Sequence, residues 1–119
     1  MFLAVAHGRN PDGTAALVNV IAAADWINHA IPVEDELRRG LNRLIDAGFV
    51  GEDRGTFRLT AAGESILAKV RRRASAWTQL NRLATAFAEI GEPSEPSWTP
   101  APIEIEAAID AYLRQMADL

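Results

Sequence analysis

Apolar residues recur at helical spacing in four stretches of the chain. Between Thr14 and Ala30, Leu17, Val18, Ile21, Ala24 and Ile27 share one face, directly after the turn-forming cluster Gly8-Arg9-Asn10-Pro11-Asp12-Gly13. This spacing predicts a first helix, ended by Asn28, His29 and Ile31-Pro32, because the residue before a proline is driven out of the helical region. From Val33 to Ala47, Leu37, Leu41, Leu44 and Ile45 form an i, i+4, i+7, i+8 stripe, with Pro32 placed to start a second helix and Gly48 to cap it. Ile66, Val70, Trp77, Leu80, Ala84 and Phe87 follow in steps near three and four, with Thr60 as N-cap and Gly91 as stop. A helix over 61–90 spans about 45 Å. That exceeds what the core of one small domain needs, so part of it is expected to pack on something else or to bend near Ala74-Ser75. Ile105, Ile109, Tyr112 and Met116 define a last amphipathic helix.

Between the second and third helices the pattern shortens. Phe49 to Thr60 places two β-prone runs on either side of Asp53-Arg54-Gly55, which reads as a hairpin. Residues 92–102 hold four prolines and read as an extended connector. The expected architecture is therefore mainly α with a small β-hairpin. Residues 1–91 form one domain that includes the long helix, 92–102 the connector, and 103–119 a C-terminal helix packing on the same domain or on a dimer partner.

Composition narrows the function classes. The 119 residues are 49% hydrophobic and 24% charged, with no cysteine and a net charge of -4. Such a chain is long enough for one folded core. The absence of cysteine excludes disulfides and thiolate metal sites, which makes the cytoplasm the expected compartment. Met1 to Ala6 is too short for a secretion signal, and no stretch is apolar enough to span a bilayer, so neither export nor membrane insertion is expected. The acidity opposes non-specific attraction to nucleic acid unless the basic residues gather on one face.

Chemistry is sparse. His7 and His29 are the two histidines, and Asp25 with His29 at i, i+4 is the one pairing suggestive of a metal site or an acid-base couple. A local ion pair or a helix-end histidine accounts for it more simply. The His7 to Gly13 loop lacks a phosphate-binding fingerprint, and no nucleophile motif is present. An enzyme, a metal site and a cofactor are therefore not expected.

The order helix, helix, Ala47-Gly48-Phe49-Val50, hairpin, Leu59-Thr60-Ala61-Ala62-Gly63, helix resembles the winged helix-turn-helix domains of bacterial transcription regulators, particularly the MarR-like and PadR-like groups. The matching stretches are Glu36 to Val50 and Phe57 to Gly63, and the resemblance in element order covers about half the chain. The resemblance implies that the helix around Arg38 to Arg43 is a recognition helix, the hairpin a wing, double-stranded DNA the partner and a homodimer the assembly. One departure stands out. Only Asn28 to Pro32 lies between the two helices, so the separate middle helix of such domains is expected to be abbreviated.

A 100° wheel puts Asp35, Glu36, Arg39, Asn42, Arg43 and Asp46 opposite the leucine stripe. Arg39, Asn42 and Arg43 are candidate contacts to bases or phosphates, with Arg38 on the flank and Arg54 and Arg58 on the wing. Against this, Asp35 with Arg39 and Arg43 with Asp46 form simple surface pairs, and Glu34-Asp35-Glu36 would repel DNA where the helix enters a groove. Lys69 and Arg71-Arg72-Arg73 are the densest basic cluster and read first as a solvated run. Trp77, Leu80, Leu83 and Phe87, with Ile109 and Tyr112, are candidate dimer-interface residues, the competing account being packing of the long helix on the chain's own C-terminal helix. Two functions are carried forward: a winged-helix DNA-binding regulator, and a winged-helix protein-interaction module that does not bind DNA.

Overall fold

A computed structural model describes residues 1–71 and 96–118. These form five helices and a three-stranded antiparallel sheet: α1 (Phe2–Gly8), β1 (Ala15–Ala16), α2 (Leu17–Asn28), α3 (Glu34–Asp46), β2 (Val50–Asp53), β3 (Thr56–Leu59), α4 (Ala61–Arg71) and α5 (Pro102–Ala117). The mainly α architecture with a small hairpin is as expected. The long helix beyond Arg71 and the candidate interface residues Trp77, Leu80, Leu83 and Phe87 lie outside the described residues.

Two elements stand upstream of the first one that periodicity predicts. α1 is short and almost wholly apolar, burying Phe2, Ala4, Val5 and Ala6. β1 is two residues long and pairs with β3, Ala15 opposite Phe57 and Ala16 opposite Thr56. The helix expected to be first is therefore the second, three helices precede the hairpin rather than two, and no further helix lies between α2 and α3. The sheet order is β1-β3-β2, so the hairpin gains a third strand through β3.

Local chemistry explains the boundaries. The Asp12 carboxylate accepts from the Thr14 amide at 2.9 Å and its hydroxyl at 2.6 Å, closing the turn before β1. The Asn19 carboxamide reaches back to accept the Ala16 amide at the start of α2. α3 ends in a Schellman arrangement: the Phe49 amide donates to Leu44 O, the Gly48 amide to Ile45 O, and Gly48 takes the positive φ of 84° that this ending requires. The Thr60 hydroxyl accepts the Gly63 amide at 3.1 Å, capping α4, and donates to Gly48 O at 2.6 Å. Two central hairpin residues, Arg54 (φ 52°) and Gly55 (φ 78°), give the two-residue turn whose twist matches that of the strands.

The core joins all these elements. Val5 of α1, Val20 and Ile21 of α2, Leu37 and Leu41 of α3, Phe57 of β3 and Ile105 of α5 are almost completely shielded from solvent. α1 packs along α2, and Gly8 permits that approach: a Cβ there would sit 2.6 Å from the Asn19 carbonyl oxygen. Arg9, in the loop after α1, pairs with Glu64 of α4. α5 lies against α2 and α3.

Candidate nucleic-acid interface

α3 owes its position to its leucines. Leu37, Leu41 and Leu44 are buried against the core, and the remaining helix surface divides into two flanks. Arg38 and Asn42, one turn apart, face a strap of residues 96–101 that leads into α5. The Asn42 amide group donates to Trp98 O at 2.9 Å, and its oxygen accepts from the Trp98 amide at 3.0 Å. It also donates to Arg38 O at 2.9 Å. Arg38 donates to Glu34 Oε1 at 2.8 Å and to Pro100 O at 3.3 Å. The Trp98 ring is buried edge-on against Phe57, with centroids 5.1 Å apart. Asn42 is only 3% exposed and is corrected from a candidate base contact to a buried clamp on the strap.

The second flank of α3 faces solvent. Asp35, Glu36, Arg39 and Asp46 are exposed and Arg43 partly so. Arg39 Nε lies 3.2 Å from Asp35 Oδ2, the surface pair that the sequence offered as the alternative to DNA contact. This flank carries three carboxylates and two guanidiniums. It is mixed in sign, with Asp35 and Glu36 in the first turn and Asp46 at the last position of the helix. Arg39 and Arg43, with Glu36, also line a cavity of about 460 Å3 between α2, the α2–α3 turn and α3.

On the hairpin, Arg54 is exposed at the turn and Arg58 is exposed on β3 between the inward-facing Phe57 and Leu59. Arg58 contributes electrostatically at Asp12, whose carboxyl is held below its ordinary pKa chiefly by the Thr14 hydroxyl and secondarily by the Thr14 amide. A further cavity of about 510 Å3 opens between the hairpin turn and the strap, with Glu52, Arg54, Trp98 and Glu104 on its walls.

The candidate interface residues of α5 turn inward. Tyr112 is buried, Ile109 packs partly buried on the core, and the Tyr112 hydroxyl donates to the Asp25 carboxylate of α2. That bond raises the Tyr112 pKa above its ordinary value, with desolvation adding to it. Tyr112 meets α2 and Ile109 the core, while the long-helix stripe on which they were expected to pack lies outside the described residues. Asp25 is thus engaged by Tyr112, and His29 ends α2 exposed, in the left-handed region. Among the described residues no cluster of three His, Asp or Glu side chains is placed to hold a metal ion, and no helix is long and apolar enough to cross a membrane.

Sequence reasoning missed Trp98 as a docking residue. Its one signal was a tryptophan stranded among prolines, a side chain too large and apolar to leave in solvent without function. Comparison of the chain with protein-family models, curated proteins and solved structures finds no match.

Proposed function

We propose that this chain is a protein-interaction module on a winged-helix arrangement, acting in the cytoplasm, and that α3 does not read DNA. The observation that carries the reading is the Asn42 clamp: the flank of α3 bearing Arg38 and Asn42 is occupied by the chain's own strap. Of the six candidate DNA contacts, Asn42 is buried, and Arg38 and Arg39 are paired with Glu34 and Asp35. A reading helix needs donors directed outward into a groove, and three carboxylates on its first turn oppose the phosphates.

The partner surface is apolar. Trp26 is 77% exposed, and Leu113 and Met116 are each nearly half exposed. Trp26 follows Asp25 on α2 and Leu113 follows Tyr112 on α5, the two helices that the Tyr112–Asp25 bond joins. Exposed large side chains of this kind mark association surfaces when they gather, and aromatic residues and methionine are the types enriched there. A second copy of the chain is the first partner to test. Sedimentation of the full chain against a Trp26→Lys, Leu113→Glu variant is expected to show self-association in the wild type and its loss in the variant. A wild type that stays monomeric at about 100 μM would remove the homodimer from this reading.

A DNA-binding regulator is the second reading. Two observations favour it: three helices stand before the hairpin, and Arg54 and Arg58 are exposed on it. Fluorescence anisotropy against labelled duplex DNA, from low to physiological salt, decides between them. Binding that survives physiological salt and falls with Arg39→Ala, Arg43→Ala ends the first reading; no binding at low salt ends the second.

A further inference from the structure

The strap and α5 are held to the body of the protein by contacts between residues far apart in sequence. Asn42 clamps the backbone of Trp98 across 56 positions, Arg38 reaches Pro100 O across 62, and Tyr112 meets Asp25 across 87. The Trp98 ring packs on Phe57 of β3, and Ile105 and Tyr112 are the buried side chains of α5. Along the strap only Trp98 is buried: Pro96, Ser97, Thr99 and Ala101 are exposed and Pro100 is partly so. The body therefore grips this segment as a groove grips an extended peptide, by hydrogen bonds to the main chain and one aromatic anchor.

Two features suit the segment to leave and return as a unit. A strap and one helix have no core of their own, so they are ordered where the body receives them. Asn42 is buried and polar, and docking in any other register would leave its carboxamide unsatisfied, so the groove accepts the strap in one alignment. None of these contacts requires groove and strap to belong to the same chain. Residues 72–95, which join α4 to the strap, lie outside the described residues, and none of the contacts named involves them. A second copy carries the identical segment and remakes the same bonds, so concentration sets how much exchange occurs.

We propose that strap and α5 exchange reciprocally between two copies of the chain, the Trp98 of each seated on the Phe57 and Asn42 of the other. Exchange does not draw on the apolar surface at Trp26 and Leu113, because it reuses contacts already made within one chain.

The chain has no cysteine, so introduced thiols report on exchange without background. Arg54 on the hairpin turn and Ser97 on the strap are both exposed and line the same cavity of about 510 Å3, which places them for a short bis-maleimide. Full-length Arg54→Cys and Ser97→Cys chains are mixed at about 1 mM, held overnight, diluted and cross-linked. A covalent heterodimer is expected, several-fold more abundant than the homodimer that Arg54→Cys forms alone. Mixing the two only after dilution should give little of it. A single chain with both substitutions, kept dilute, should cross-link within itself, which checks that the strap still sits in its groove. The heterodimer yield should be unchanged when Trp26→Lys and Leu113→Glu are added to both chains. A heterodimer no more abundant than the homodimer, equal yield on mixing after dilution, or a double variant that fails to close on itself would each overturn exchange. Loss of the heterodimer with Trp26→Lys and Leu113→Glu would also overturn it, tracing the dimer to the apolar surface instead.

Discussion

The carboxamide of Asn42 and the peptide backbone of Trp98 form a closed pair of hydrogen bonds, donor to carbonyl and acceptor to amide, across 56 positions of sequence. Both partners are buried. Asn42→Ala leaves a buried N–H and a buried C=O unsatisfied and is expected to destabilise the fold by about 2–4 kcal/mol. Asn42→Asp keeps the shape but at neutral pH offers no donor and places a charge there, so it should cost at least as much. Urea unfolding followed by tryptophan fluorescence measures both. A loss below about 0.5 kcal/mol for Asn42→Ala would show that the strap is held by Trp98 packing alone.

The same pair shows where sequence reasoning stops. The stripe Leu37, Leu41, Leu44 fixes α3, and Gly48 and Thr60 mark its end and the start of α4, because helical period and capping are local properties. The polarity of Asn42 put it on the solvent side of the wheel, and nothing nearby announces the strap that buries it. α1 escaped because Phe2 to Ala6 is apolar on every face and has no period to detect. β1 escaped because two alanines become a strand only by pairing with β3. The contact of Tyr112 with Asp25 escaped because the two residues stand 87 positions apart and neither has a local pattern that names the other.

Gly63 and Gly48 should respond to alanine for different reasons and by different amounts. A Cβ on Gly63 would lie 2.3 Å from the backbone oxygen of Phe49, and backbone cannot step aside. Gly63→Ala is expected to cost about 2–3 kcal/mol, by forcing α4 away from the start of β2. Gly48 has open space around it but a φ of 84°, so Gly48→Ala should cost only about 1 kcal/mol of left-handed strain. Thermal denaturation of the two variants side by side checks the ranking.

The Tyr112 hydroxyl gives stability a pH dependence at the alkaline end. Its pKa is raised above the ordinary 10.0 because the neutral phenol donates to Asp25, so folding favours the protonated form. The contribution is fully present below the unfolded pKa near 10 and is lost as pH rises through the higher folded value. Wild-type stability should therefore fall above pH 10 by more than that of Tyr112→Phe, which has no proton to lose. Urea midpoints for both proteins at about pH 8 and about pH 11 test the difference. Parallel curves would mean that Tyr112 and Asp25 are not coupled in solution.

Arg54 separates the two functional readings by its backbone. It sits at φ 52°, a conformation that asparagine and glycine adopt readily and that arginine adopts at a cost, in a two-residue turn that favours Asn-Gly. Arg54→Asn should stabilise the hairpin by about 0.5–1 kcal/mol, since the new residue relieves strain and removes no partner the structure displays. An arginine at such a position raises the question of use elsewhere, because backbone strain tends to gather where function needs it. If the hairpin meets DNA, Arg54→Asn should raise the melting temperature and at the same time weaken duplex binding and lower its salt slope by about one. If the chain is a protein-interaction module, the melting temperature rises and duplex anisotropy stays at its baseline in both proteins. An unchanged or lower melting temperature would mean that the Arg54 side chain contributes more to the hairpin than its exposure allows.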